Sequence, residues 1–205
     1  MPSRRRFLHG SASLAALAAL MPWLPSSAFA SGTLLSRAIP SSGELLPVIG
    51  LGTSRTHDVA MTDEALQPLR EVLQTLVNGG ASLVDTAPSY GRAEAVCGAL
   101  AAEDEMRKKL FLASKVSSSG RAAGERQVEA SFAALKTDTI DLMQVHNLQD
   151  TRTQLGLLRE LKEQGRVRYI GVTHYLDSAH ERLLEVLRQE PVDFVQFNYL
   201  SLIHI

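Results

Sequence analysis

The chain has 205 residues, 21 lysines and arginines against 22 acids, a formal net charge of -1, and a composition 45% hydrophobic and 21% charged. These values exclude a disordered, collagenous or coiled-coil chain and give no electrostatic reason to bind nucleic acid. One cysteine, Cys97, excludes an internal disulfide framework.

Residues 1–30 stand apart from the rest. Arg4, Arg5 and Arg6 make a cationic start, the apolar run from Leu14 to Leu24 is interrupted by Pro22, and Ala28-Phe29-Ala30 is a small-x-small cleavage site. The apolar run is too short for a membrane span of about 20 residues. Ser3-Arg4-Arg5-Arg6-Phe7-Leu8 resembles a bacterial twin-arginine signal, which directs folded proteins outward. The expectation is a signal peptide over residues 1–30, export through the twin-arginine machinery to the periplasm, and no stable membrane span after cleavage. An uncleaved anchor or a basic, alanine-rich tail is the alternative.

From residue 31 onward, short apolar runs alternate with helical patterns. Ser41-Ser42-Gly43-Glu44 predicts a turn closing a small hairpin within Ile39 to Leu46, and Val48 to Gly52 reads as the first strand of the repeating pattern. Leu66, Leu69, Val72, Leu73, Leu76 and Val77 recur at helical spacing behind an N-cap at Thr62 or Asp63, and Gly79-Gly80 stops that helix. Ser82 to Val84 is a strand leading into Asp85, followed by a small helix around Ala93 to Ala102. Leu110 to Ala113 is the third strand, ending at Lys115. Val128, Phe132 and Leu135 mark the next core-facing helix. Ile140 to Val145 is the fourth strand and delivers His146. Leu155, Leu158 and Leu161 face inward on a helix stopped by Gly165. Tyr169 to Val172 is the fifth strand, Leu183, Val186 and Leu187 line a further helix, and Phe194 to Phe197 is the sixth strand.

Strict strand–helix alternation predicts a parallel sheet with helical crossovers. Two architectures satisfy it, the closed (β/α)8 TIM barrel and the doubly wound open sheet. Gly50-Leu51-Gly52-Thr53-Ser54-Arg55 lacks the third glycine of the open sheet's dinucleotide fingerprint, and polar residues at the ends of many strands favour the barrel. With about six of eight strands in residues 31–199, the barrel is expected to be incomplete.

Asp85, Tyr90, Lys115 and His146 follow or close three successive strands, so a barrel brings them to one rim. Proton transfer to a carbonyl oxygen uses this set. A tyrosine with an ordinary pKa of about 10 is a poor acid at neutral pH, and a neighbouring ammonium held by Asp85 would make it more acidic. His146 could then orient or polarise the carbonyl. Each residue alone also fits a structural role: a helix cap, a half-buried aromatic, a solvated strand end, a histidine satisfied by a backbone carbonyl.

Val84-Asp85-Thr86-Ala87-Pro88-Ser89-Tyr90-Gly91, with Glu94 and Gly98 after it, resembles the signature of the aldo-keto reductase superfamily. Ala113-Ser114-Lys115-Val116, the run from Asp141 to His146 and the run from Gly165 to Val172 are similar to its later motifs, and the likeness spans roughly residues 34 to 199. The resemblance implies a (β/α)8 barrel that binds NADP(H) and reduces an aldehyde or ketone reversibly. Tyr90 would be the proton donor, Lys115 and Asp85 would tune it, and His146 would bind the carbonyl. Cofactor contacts would fall on Gly52, Thr53 and Asp85 near the nicotinamide ribose and on Thr173, His174 and Gln196 near the carboxamide. The choice between NADP(H) and NAD(H) stays open, and no metal is implied. At Thr173-His174 the family more often has Ser-Asn, and one imidazole cannot replace both an amide donor and an amide acceptor at the same geometry. Arg55, His57 and Asn147 are the nearby side chains expected to reach a small carbonyl substrate.

Leu200 to Ile205 resembles the translation of a sequencing adaptor, and the expectation is that residues 200–205 are a non-native tail on a truncated chain, with a genuine short strand as the alternative. Six strands leave open, apolar edges, so the 205-residue chain itself is expected to aggregate or fold poorly, to hold cofactor weakly or not at all and to be inactive, the function being that of the full-length protein. Three other activities compete: a metal-dependent hydrolase using Asp85, His146 and His174, a non-catalytic NADP-binding regulatory subunit, and a Schiff-base aldolase acting through Lys115.

Overall fold

The computed structural model describes residues 34–199; the expectations for residues 1–30 and 200–205 lie outside the described residues. Two short strands come first. β1 (Ser36–Ala38) and β2 (Leu45–Pro47) pair antiparallel, with Ser36 opposite Pro47 and Ala38 opposite Leu45, across the expected turn. Gly43 takes φ +77 there, a left-handed conformation that suits glycine.

The alternating part runs β3 (Gly50–Gly52), α1 (Asp63–Asn78), β4 (Leu83–Asp85), α2 (Ala93–Ala101), β5 (Phe111–Val116), α3 (Arg121–Leu135), β6 (Ile140–His146), α4 (Thr151–Glu163), β7 (Val167–His174), α5 (His180–Gln189) and β8 (Phe194–Phe197). The boundary chemistry is local. Thr62 caps α1, its hydroxyl accepting from the Ala65 amide, and Gly79 closes the helix. β3 is shorter than its apolar run predicts: Val48 and Ile49 precede it and are about half exposed.

Strands β3 to β8 form one parallel sheet in sequential order. A doubly wound sheet reverses direction at a switch point and carries helices on both faces. Here the order never reverses, so the chain presents six successive strands of an incomplete (β/α)8 barrel. The two faces have separate cores. On the outer face Leu112, Val116, Met143, Val145, Ile170 and Val172 pack against helix residues such as Val128, Phe132, Leu155 and Leu158. Gly98 on α2 permits close contact with α3, since a Cβ there would stand 2.1 Å from the Ala134 carbonyl oxygen.

On the inner face Phe111, Ala113, Leu142 and Tyr169 pack against Ile39 of the hairpin. The hairpin therefore closes the end of the barrel where the strands begin. Polar bonds fasten it: the Tyr169 hydroxyl donates to Glu44 at 2.6 Å and lies 2.7 Å from Ser42 Oγ, while Arg168 bridges Glu44 and Asp141. Buried Asp141 also accepts from Arg107 and from the Leu112 amide. Among the described residues no helix is long and apolar enough to cross a membrane.

Candidate active site

With one end closed by the hairpin, chemistry is left to the end where the parallel strands finish. Period-two alternation on β5 and β6 turns Lys115, Gln144 and His146 to the same inner face as Ala113 and Leu142. β7 and β8 add Thr173 and Gln196, which are paired in register. Tyr90 arrives from the loop after β4. That loop turns at Gly91, φ +63, where a Cβ would stand 2.4 Å from the Asp58 carboxylate. Asp58 accepts from the Arg92 amide and guanidinium there, pinning the loop after β3 to the residues next to Tyr90.

The four residues named for catalysis come together. Lys115, 2% exposed, donates to both Asp85 oxygens at 2.8 and 2.7 Å and to the Thr86 carbonyl at 2.8 Å. Its Nζ lies 5.0 Å from the centre of the Tyr90 ring, and that ring meets the His146 ring edge-on at 6.2 Å between centroids. Tyr90, Lys115 and His146 line a cavity of about 210 Å³ with Asn147, Thr173, His174 and Gln196.

The electrostatics differ from the sequence expectation in one respect. All three ammonium donors of Lys115 are engaged by Asp85 and Thr86, so none reaches the phenol. Burial first, and the charge of Asp85 second, push the Tyr90 phenol above its ordinary value, where the sequence reading expects it lowered. Tyr90 is therefore protonated at neutral pH. Burial also pulls Lys115 down, against the opposing pull of Asp85. Glu94 is buried behind the site, accepts from the Ser114 hydroxyl at 2.6 Å, and is raised by desolvation.

Burial and then the Lys115 charge hold His146 down at about 4. Its imidazole is neutral near pH 7 and offers one N–H donor. Unfolded histidine takes up a proton near pH 6.5 while folded His146 does so near 4, so the unfolded chain binds more protons between those values. Stability is expected to fall as pH drops through that window. Burial lowers His57 and His174 in the same direction, so His146→Gln should flatten the pH dependence of the urea midpoint without abolishing it. An unchanged slope would contradict the assignment.

The residues named for cofactor contacts divide. Thr173, His174 and Gln196 line the cavity. Thr53 is buried, with its amide and hydroxyl both donating to the Asp85 carbonyl at 3.1 and 2.9 Å. It braces Asp85 and does not line the cavity. Gly52 has open space at its Cβ position, with nothing within 4 Å. His174 accepts the Leu176 amide at Nδ1, which places its proton on Nε2 and leaves a donor only. Asn147 lines the same cavity, and its Oδ1 is buried without a hydrogen-bond partner. Of the side chains expected to reach substrate, only Asn147 lines this cavity. His57 is buried beside a separate apolar void with Leu51, Leu73 and Cys97, and bonds Thr56. Tyr175, Phe197 and Asn198 also line the site and carry no motif that would have singled them out.

The chain matches the model of the Aldo/keto reductase family over residues 48–204. An aldo-keto reductase of Mycolicibacterium paratuberculosis is 30% identical over 152 residues, covering 71% of this chain and 50% of that protein. Aldo-keto reductase YhdN of Bacillus subtilis is 30% identical over 142 residues, covering 62% and 43%. Among solved structures, a thermostable aldo-keto reductase in complex with the inhibitor epalrestat gives a TM-score of 0.67 at 30% identity, over 81% of this chain and 63% of that one. An aldo/keto reductase from Klebsiella pneumoniae in complex with NADP and acetate gives 0.60 at 27%, over 73% and 52%. The chain spans about half the length of the curated relatives it matches.

Proposed function

The chain belongs to the aldo/keto reductase family, and from that premise we propose that the protein reduces an aldehyde or ketone to the alcohol with NADP(H) at the Tyr90 cavity. The observation that carries this reading is the convergence of Tyr90, the Lys115–Asp85 pair and His146 on one cavity wall. The NADP-bound relative from Klebsiella pneumoniae supports the choice of cofactor.

The residues present fit a nicotinamide. Its primary carboxamide needs a donor and an acceptor, and the residues lining the cavity include His174 with its Nε2–H, the Gln196 amide, and Asn147, whose buried Oδ1 is unpartnered. Open space at Gly52, next to Thr53 and Asp85, leaves room for the ribose. When bound, the cofactor supplies a hydride to the carbonyl carbon. Tyr90, kept protonated by burial, donates its proton to the oxygen as negative charge builds there. Lys115 then faces the phenolate left behind, while neutral His146 supplies a hydrogen bond that orients the carbonyl.

A metal site on Asp85, His146 and His174 is disfavoured because both Asp85 oxygens already accept from Lys115. The test is a cofactor-fluorescence titration followed by an NADPH-consumption assay with a panel of aldehydes and ketones. Saturable binding with carbonyl-dependent consumption is expected of the protein with its barrel complete. Tight binding with no turnover on any carbonyl would favour the regulatory-subunit alternative, and no binding at all would remove both.

A further inference from the structure

Gln144 is out of place by the chemistry of its strand. It is 1% exposed within the otherwise apolar stretch Leu142 to Val145, and burying a primary amide is costly unless its bonds are made. It makes one: Nε2 donates to Gln196 Oε1 at 3.1 Å, while its own Oε1 has no partner.

That bond skips a strand. Gln144 on β6 is paired with Gly171 on β7, Gly171 with Phe194 on β8, and Gln196 lies two residues further along. The crossing depends on Gly171 having no side chain, since a Cβ there would come within 3.1 Å of Gln144 Cγ and 2.8 Å of the Phe194 carbonyl oxygen. Gln196 itself is exposed and lines the cavity. With its Oε1 occupied from below, its NH2 group is what it has to offer the cavity. Fixing a long amide side chain costs rotamer entropy, and an anchor formed before ligand arrives removes part of that cost from binding.

We infer that Gln144 is a positioning residue, reaching across Gly171 to hold the Gln196 amide with its NH2 toward the place where the nicotinamide carboxamide binds. The inference rests on the NADP(H) reading of the cavity. It concerns a side chain that does not line the cavity and would not touch the cofactor.

A double-mutant cycle on NADPH affinity tests it, using Gln144→Met to conserve volume, Gln196→Met, and the pair together. Each single change is expected to weaken the Kd, read by cofactor fluorescence, about five- to tenfold. The double variant should be no weaker than the weaker single, because Gln144 acts only through Gln196. The KM for the carbonyl compound should stay within about twofold, and the unfolding midpoint of Gln144→Met should not fall, since an under-bonded buried amide is removed. Unchanged affinity in Gln144→Met, or losses that multiply in the double variant, would overturn the positioning role. Wild-type protein with its barrel complete that binds no NADPH would defeat the cofactor reading itself and this role with it, an outcome visible before any variant is compared.

Discussion

Replacing Tyr90 with Phe is expected to lower kcat for carbonyl reduction by about 10²- to 10⁴-fold, the range lost when a positioned proton donor is removed. The substitution is clean because the ring stays. The edge-on contact with His146 and the approach of Lys115 both use the ring, and a phenyl ring occupies the same place beside the Lys115–Asp85 pair. NADPH affinity and the unfolding midpoint should therefore hold within experimental error. Stopped-flow single turnovers separate the chemical step from binding and release. A Tyr90→Phe variant keeping more than about a tenth of the wild-type rate would show that the proton comes from elsewhere.

The second large effect concerns stability as much as rate. Lys115→Met leaves the Asp85 carboxylate, 14% exposed, without its partner and leaves the Thr86 carbonyl without its donor. An uncompensated charge of this kind costs about 3–5 kcal/mol, so the urea midpoint should drop sharply and turnover with it. Adding Asp85→Asn removes the stranded charge. The double variant should regain much of the stability and none of the turnover, because the phenolate left on Tyr90 still faces no cation. Recovery of turnover along with stability would reduce the Lys115–Asp85 pair to a structural brace.

The regular elements were legible because burial writes a period into sequence. Leu66 and Leu73 at helical spacing, a threonine cap and a glycine pair delimited α1 to within a residue, and the apolar run from Ile140 to Val145 marked β6. The short helical turn Met106–Lys109 was not legible, since beside a local bond to the Leu110 carbonyl it is held by tertiary bonds from Arg107 to the Thr139 carbonyl and to Asp141. In the site, strand ends announced Asp85, Lys115 and His146. They could not announce the sign of the Tyr90 shift, which depends on where the three Lys115 protons point. Asn147 did carry a signal. Its φ of +53 is a conformation asparagine tolerates better than most residues, so an asparagine just after a strand implied a turn at the rim. Gln144 was visible as a polar residue in an apolar strand, but its partner, 52 residues away and two strands over, was not.

The most direct measurement is isotopic. Protein supplied with NADPH deuterated on the transferring carbon and an aldehyde substrate should yield alcohol carrying that deuterium on the carbinol carbon, in wild type but at greatly reduced yield in Tyr90→Phe. Alcohol formed without the label, or label transferred equally well by Tyr90→Phe, would contradict carbonyl reduction at this cavity.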